Sequence, residues 1–472
     1  MLLLRNNTSY KRSFYILSGK MLPVLMLFII SVLYSRKLNF SEYGQFQSIW
    51  MYANVVNVIT AFGFTSLIFS TDINYLLSFI KQKRKGVSVF YLLVTLIVFA
   101  VFYFFAKNFS QTLKIWLLIF FIIQNCSFFA EAYLIKQRKE SYSFVINIIY
   151  AVLFTGWHIY ILYIGFQISA LIEGTTVITL VKTILIIFLF DKNKKNNISG
   201  DEANTFQKHW FFIGINDIVG VFSKWMDKIF LLYILTAADF AIFFNGSFEI
   251  PLFGLLISVA GSILLLEISA NRSKQALVIK SFNKTYLVLS SIVFPLFIFL
   301  LLYASELFAV MFNNKYNASV PVFMISIFIL PLRINNYSAL LQCYSKGDVI
   351  MKGSLLDIGL AVILMVGLYP IMGTRGIALA MVVATYIQVL YYLWMSSKIL
   401  RVNIQQLLPF KVLVIKLFVI VSVIATVYYL VPFTNVYLKL LSGGVITLLC
   451  IFTSLFYFHK KEYNKYDVQE TR

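Results

Sequence analysis

The sequence predicts an all-α polytopic membrane protein with about fourteen transmembrane helices. Of its 472 residues, 60% are hydrophobic and only 12% are charged, and the mean hydropathy is +0.84. The apolar runs are long enough for helical spans of about 20 residues and too long for barrel strands, and only helices and closed barrels satisfy the backbone in lipid. Basic residues lie in short clusters between these runs, as the positive-inside rule predicts.

Fourteen apolar runs follow one another along the chain, and no cleavage site follows the first, so we expect it to be retained. Of the 40 lysines and arginines, 27 lie in one alternating set of loops that includes both termini, and 7 lie in the other set. This asymmetry predicts that both termini are cytoplasmic. The predicted spans are about 13–34, 44–70, 87–106, 113–135, 142–165, 168–190, 208–235, 238–268, 282–303, 319–343, 353–371, 376–397, 412–431 and 437–458.

The polar segment DKNKKNNISGDEANTFQKH (191–209) is the longest hydrophilic stretch between two spans. It predicts a cytoplasmic linker at 191–207, between an N-terminal lobe of helices 1–6 (1–190) and a C-terminal lobe of helices 7–12 (208–400). Residues 401–472 would then add helices 13 and 14 and a cytoplasmic tail. SEYGQF (41–46) and AADFAIFFNG (237–246) occupy corresponding places after helices 1 and 7. We therefore expect two pseudo-symmetric six-helix lobes, an organisation common in secondary transporters.

Charged residues inside the predicted spans are the candidate functional residues. Each costs about 2.5–3.5 kcal/mol in hydrocarbon on insertion scales, so they are expected to face a watery cavity or one another. Cations predominate at the deep positions, which favours an anionic ligand such as a phosphate. The candidate substrate-binding cations are Lys20, Lys182, Lys224, Lys228 and Arg333.

Helix 7 carries the densest group of these residues. Trp225 neighbours its lysines and either stacks on a sugar or cation, or packs against lipid or a neighbouring helix. Asp217, Asp227 and Glu249 are the candidate ion-coupling carboxylates, because their titration could shift a conformational balance. The alternative for Asp227 is neutralisation by Lys224 or Lys228, which would only make burial tolerable.

Several classes of protein are disfavoured. There is no phosphate-binding loop and no common hydrolase or metalloprotease motif, so we expect neither direct use of ATP nor enzymatic activity. The three histidines and three cysteines are scattered without metal-ligand spacing, which predicts no metal and no cofactor. The net charge of +21 follows the loops and does not indicate nucleic-acid binding. The outer loops are too short for the catalytic loop of a membrane glycosyltransferase.

Four stretches resemble the polysaccharide transporter branch of the MOP flippase superfamily, in the order and spacing of that family. Asn313-Asn314 and Ala241 depart from its pattern, because glycine is common at both places. The stretches are SEYGQF (41–46), DKIFLLYILTAADFAIFFNGSFEIP (227–251), LFAVMFNNKYNASVPVF (307–323) with its continuation PLRINNYSALLQCYSKGD (331–348), and MGTRGIALAMVVATY (372–386).

This resemblance implies a MATE-like fold and a flippase that works by alternating access in the bacterial cytoplasmic (inner) membrane. The implied substrate is an undecaprenyl-pyrophosphate-linked oligosaccharide repeat unit of the O-antigen (lipopolysaccharide) or capsule kind, and H⁺ or Na⁺ would drive transport. The implied partners are this lipid-linked oligosaccharide, membrane lipids, and the polymerase and chain-length regulator of the same pathway. The alternatives are a multidrug or organic-cation exporter of the same superfamily and a membrane glycan polymerase.

Overall fold

The computed structural model describes residues 7–70, 73–106, 109–191, 200–247, 251–344, 346–430 and 435–470. These residues are almost entirely helical and include no strand. Two short 3₁₀ helices, Asn317–Ser319 and Ile327–Ile334, flank the α-helix Val320–Ser326. The α-helices are α1 Asn7–Lys37, α2 Phe40–Ala61, α3 Phe64–Ser70, α4 Ile73–Gln82, α5 Arg84–Phe105, α6 Gln111–Lys136, α7 Glu140–Ile164, α8 Ile168–Phe188, α9 Gly200–Ile234, α10 Ala237–Gly246, α11 Pro251–Ala270, α12 Gln275–Leu302, α13 Ala304–Phe312, α14 Val320–Ser326, α15 Ser338–Cys343, α16 Gly347–Met372, α17 Thr374–Leu400, α18 Ile404–Leu407, α19 Phe410–Leu430 and α20 Val436–Glu470.

The predicted all-α polytopic fold is confirmed. Within the described ranges, ten helical segments are long and apolar enough to cross a membrane: α5, α6, α7, α8, α12, residues 317–334, α16, α17, α19 and the first part of α20. The other four predicted runs coincide with α1, with α2 and α3, with α9, and with α10 and α11. The chain is therefore a multi-pass membrane protein.

Three of the predicted spans are not single helices. The run 238–268 divides into α10 and α11. The run 44–70 is interrupted where Phe62 and Gly63 have φ angles of 42° and 73°, which end α2 and start α3 in a new direction. The run 319–343 divides into α14, the 3₁₀ helix Ile327–Ile334 and α15. Pro331 lies within that 3₁₀ helix, and a proline lacks the amide proton that a continuous α-helix requires.

The chain divides into two compact units, Met1–Trp225 and Met226–Arg472, so that the division falls within α9. Residues 192–199 of the predicted linker lie outside the described ranges, and the predicted boundaries of the two lobes stay predictions. In the first unit, α1 packs along α7, and α6 packs along α8. Apolar side chains such as Leu92, Ile97 and Phe104 of α5 are exposed, as expected for a helix that contacts lipid.

In the second unit, α16 packs along α17, and α12 contacts both α19 and α20. The ammonium of Lys416 on α19 donates to the Leu287 carbonyl at 2.8 Å and to the Ser290 and Ser291 hydroxyls at 3.0 and 2.5 Å. All three acceptors belong to α12. A charge within an apolar helix is thereby satisfied by neutral oxygens, and these contacts hold α19 against α12.

Candidate functional site

The first unit contains a cavity of about 770 Å³, lined by side chains from α1, α2, α3, α6, α7, α8 and α9. This volume falls in the roughly 300–1,000 Å³ range of small-molecule sites. Its described lining includes four charged residues, Glu131, Lys182, Asp217 and Lys224. Three of these, Lys182, Lys224 and Asp217, were candidates from the sequence. Two lysines and two carboxylates balance one another in this lining, whereas the sequence led us to expect an excess of cations.

Lys182 on α8 and Glu131 on α6 form a buried ion pair, with 3.0 Å between Nζ and Oε2. The two residues are only 7% and 9% exposed. The second carboxylate oxygen of Glu131 accepts from Asn147 Nδ2 at 2.8 Å and from Ser143 Oγ at 3.3 Å, both on α7. The Lys182 ammonium also lies 4.8 Å from the ring centroid of Tyr150. A buried pair with both partners hydrogen-bonded in this way joins three helices at one wall of the cavity.

The turn between α2 and α3 contacts α9, which also lines the cavity. A Cβ atom at Gly63 would lie 2.6 Å from the backbone nitrogen of Gly214 on α9, so the close approach requires glycine. The indole nitrogen of Trp210, one turn earlier on α9, donates to the Phe62 carbonyl at 2.9 Å. These contacts fix α9 against the turn at Trp210 and Gly214.

Asp217 and Lys224 follow on α9, seven residues apart and therefore on one helical face. The Ser66 hydroxyl on α3 donates to Asp217 Oδ2 at 2.7 Å. Lys224 is exposed, and its ammonium lies 6.0 Å from the ring centroid of Trp225, the outer limit of a cation–π contact. Lys224 is therefore a cation that a ligand in the cavity can reach.

Carboxamides form much of the remaining polar lining. Asn57 Nδ2 on α2 donates to Gln124 Oε1 on α6 at 2.5 Å. One residue along α6, Asn125 Nδ2 donates to Thr60 Oγ1 on α2 at 2.5 Å. The six carboxamide side chains that line the cavity are Asn54, Asn57, Gln124, Asn125, Asn147 and Asn216.

Other candidates from the sequence lie in the second unit. Asp227 and Lys228 form a buried ion pair with 3.1 Å between Oδ2 and Nζ, and they are 6% and 8% exposed. Arg333 is exposed at the end of the 3₁₀ helix Ile327–Ile334. The side chain of Lys20 and the whole of Glu249 lie outside the described residues. The substrate-binding and ion-coupling assignments of all these residues stay predictions.

Sequence reasoning missed Glu131 and the carboxamides. Glu131 lies in the apolar stretch FFAEAYLI of the fourth predicted span, and a lone carboxylate there signals a partner within the bundle. On α2, Trp50, Asn54 and Asn57 recur at intervals of four and three residues, which places them on one helical face. Among the described residues, no group of three or more histidine, cysteine, aspartate or glutamate side chains could hold a metal ion.

A family model described as "Polysaccharide biosynthesis protein" matches residues 33–321. Comparison with curated protein sequences finds no match. Among solved structures, the lipid II flippase MurJ in an inward closed conformation has a TM-score of 0.67 at 16% identity, over 94% of this chain and 99% of that chain.

Transporters of the MOP superfamily are also similar in fold. An inward-facing multidrug resistance MATE family transporter has a TM-score of 0.56 at 13% identity, over 82% of this chain and 98% of its own. A MOP superfamily transporter from Pyrococcus furiosus has a TM-score of 0.56 at 14% identity, over 84% of this chain and 96% of that chain. That transporter is described as having a binding pocket of reverse polarity. The resemblance drawn from the motifs is thus confirmed: the chain belongs to the polysaccharide biosynthesis protein family and has the fold of the MOP flippases and transporters.

Proposed function

We propose that this protein is a flippase that moves undecaprenyl-pyrophosphate-linked oligosaccharide repeat units across the bacterial cytoplasmic membrane. It would act by alternating access and would use an ion gradient. The glycan would be of the O-antigen or capsule kind, and both termini would lie in the cytoplasm. The protein would supply translocated units to the polymerase and chain-length regulator of the same pathway, and it would not itself be an enzyme.

The observation that carries this proposal is the cavity of the first unit, whose lining includes four charged residues and six carboxamides. Ionisable residues in membrane-spanning helices are costly and typically mark a substrate or ion pathway. Lys224 is the exposed cation of this lining and suits a pyrophosphate oxygen, since an ammonium binds phosphate as a point charge. Membership in the polysaccharide biosynthesis family supports a glycan substrate over a drug.

Of the three candidate carboxylates, Asp217, Asp227 and Glu249, we propose Asp217 as the ion-coupling residue. Asp217 lines the cavity and accepts a hydrogen bond from Ser66, so an ion that enters the cavity can reach its carboxylate. Asp227 already compensates Lys228 within a buried pair, which favours a structural role for that carboxylate. Binding of H⁺ or Na⁺ at Asp217 would change the charge of the lining and so bias one conformation over another.

Depletion of the protein from the cells that produce it tests this function. The flippase proposal predicts that single, complete lipid-linked repeat units accumulate inside the cell and that surface glycan is lost. A multidrug exporter predicts normal surface glycan together with increased drug sensitivity. A polymerase predicts single repeat units that have already reached the outer face, where an added lectin binds them on intact cells.

Lys224→Ala is the matched substitution, with Lys398→Ala as its control. Lys398 is also an exposed lysine beside a tryptophan, with 3.5 Å between its ammonium and the Trp394 ring centroid, but it does not line the cavity. Surface glycan should be lost in the first variant and kept in the second, at equal amounts of inserted protein. Normal surface glycan in Lys224→Ala would exclude Lys224 from substrate binding.

A further inference from the structure

The wall of the cavity between α2 and α6 carries four carboxamides, Asn54, Asn57, Gln124 and Asn125, which we call the carboxamide wall. Two hydrogen bonds join three of these carboxamides across α2 and α6, one from Asn57 to Gln124 and one from Asn125 to Thr60. Polar side chains commonly link membrane helices in this way. Helix association is therefore the simplest explanation of these residues.

Helix association leaves part of this wall unexplained. The Oδ1 atoms of Asn57 and Asn125 are buried and accept no hydrogen bond from any described residue. The indole nitrogen of Trp50, which lies one turn before Asn54 and lines the same cavity, is also buried and donates to no acceptor within the described ranges. A buried polar atom without a partner is costly because its hydration is lost and not replaced, and native proteins retain few such atoms. Side chains selected only to join two helices would be expected to satisfy one another.

The unused groups define the chemistry of the missing partner. They comprise acceptors, on Asn57 and Asn125, and a donor, on Trp50. A hydroxyl group both donates and accepts, so a ligand rich in hydroxyls matches this mixture, whereas a bare anion matches only donors. The terminal torsion of an asparagine side chain is soft, so these amides can turn toward a ligand. The aromatic side chains of Trp50, Phe128 and Phe154 line the same cavity and offer apolar surface to the carbon faces of a sugar ring.

From this match we infer that the carboxamide wall is a binding site for the uncharged sugar portion of the substrate. This inference rests on the proposed function, since it assigns the glycan and the pyrophosphate of one substrate to separate parts of the cavity. The glycan contacts the wall formed by α2 and α6, and the anionic group contacts Lys224 on α9. Substrates with different sugars would then be distinguished by the amides, while the lysine would bind every pyrophosphate alike.

The test measures binding of two soluble probes to the purified full-length protein in lipid nanodiscs. The first probe is the glycan released by mild acid from the lipid-linked repeat unit of the same cells, and the second is inorganic pyrophosphate. The double substitution Asn57→Leu/Gln124→Leu removes both members of one hydrogen bond, so it leaves no new orphan from that pair. Asn54→Leu is a second variant, because Asn54 is exposed and its amide donates to the Trp50 carbonyl of its own helix.

We expect the double variant to bind the released glycan at least about tenfold more weakly, the effect of losing one or two ligand hydrogen bonds. Its affinity for pyrophosphate should stay within about twofold, and Asn54→Leu should weaken only glycan binding. The control is Gln342→Leu, an exposed glutamine of α15 outside the cavity, which should bind both probes normally. The melting temperature of each variant shows that it is folded.

Wild-type affinity for the glycan in both wall variants would overturn this inference, and so would equal weakening for glycan and pyrophosphate. Neither result bears on the proposed function, which the depletion experiment tests separately. Conversely, normal surface glycan after depletion would end the flippase proposal even if the purified protein bound the glycan. The two failures are therefore distinguishable.

Discussion

The ammonium of Lys182 lies 3.0 Å from the carboxylate of Glu131, and both side chains are buried in the first unit. Removing one member of a buried ion pair typically costs about 3–5 kcal/mol, whereas replacing both members by neutral side chains of similar size is often neutral. We expect Lys182→Met to lower the thermal stability of the purified protein strongly. The double variant Glu131→Gln/Lys182→Met should recover most of it.

The same pair of variants separates structure from substrate binding at Lys182. If Lys182 binds substrate as the sequence suggests, the stable double variant should still fail to produce surface glycan. Recovery of both stability and surface glycan would assign this lysine to structure alone. If Lys182→Met alone were as stable as Glu131→Gln/Lys182→Met, an unpaired Glu131 carboxylate would not be costly, which would contradict the expected effect on stability.

The lysines at 224 and 228 should respond differently to alanine, although they lie one turn apart on α9. Lys228 is buried against Asp227, so Lys228→Ala leaves an uncompensated carboxylate and should reduce the amount of folded protein. Lys224 is exposed, so Lys224→Ala should reduce surface glycan without reducing the amount of protein. Immunoblots of membranes beside glycan staining measure both quantities, and the reverse pattern would refute the assignment.

Gly63 should be intolerant of substitution because it combines a φ angle of 73° with a close approach to Gly214. A side chain in the left-handed region costs about 1–2 kcal/mol, and the clash adds to this cost. Gly63→Ala should therefore lower the melting temperature. The matched variant is Gly220→Ala. Gly220 also lines the cavity, but a Cβ atom added there would meet open space. Because alanine favours a helix more than glycine does, this substitution should stabilise α9 by up to about 1 kcal/mol. Equal melting temperatures in both variants would argue against the proposed role of the turn.

Asp217→Asn should uncouple transport from the ion gradient, because the amide keeps the size of the side chain but cannot carry the charge. Its carbonyl oxygen can still accept from the Ser66 hydroxyl, so the fold should persist. Proteoliposomes with imposed H⁺ or Na⁺ gradients measure the effect. The wild type should respond to one gradient and the variant to neither. The control Ser66→Ala removes the hydrogen bond alone and should retain the response, whereas a gradient response in Asp217→Asn would place coupling elsewhere.

Much of the fold is predictable from the sequence because hydrocarbon imposes a simple rule on helix length and composition. The interruption at Phe62 and Gly63 escaped prediction because the turn itself is apolar and lacks the polar residues of a surface loop. The break of the run 319–343 had a visible cause in Pro331, yet proline also occurs inside the continuous helix α12 at Pro295. Tertiary packing, which composition does not encode, decides between a kink and a change of helix type.

The site was only partly predictable for a related reason. Lys182, Asp217 and Lys224 stand out as charges in apolar runs, and all three line one cavity. The sequence does not indicate that Glu131, 51 residues away, is the partner of Lys182, because that contact arises from the packing of α6 against α8. The carboxamides are uncharged and so give a weaker signal in a hydropathy pattern, although their spacing on α2 was visible.

Reconstitution into lipid vesicles measures translocation itself. The purified protein would be placed in vesicles that carry the lipid-linked repeat unit, and an impermeant glycosidase added outside would report the accessible fraction. With the wild-type protein, this fraction should rise from about one half toward completion, and with Lys224→Ala it should equal that of protein-free vesicles. An accessible fraction that stays at the protein-free level with folded wild-type protein, under either ion gradient, would rule out translocation by this protein.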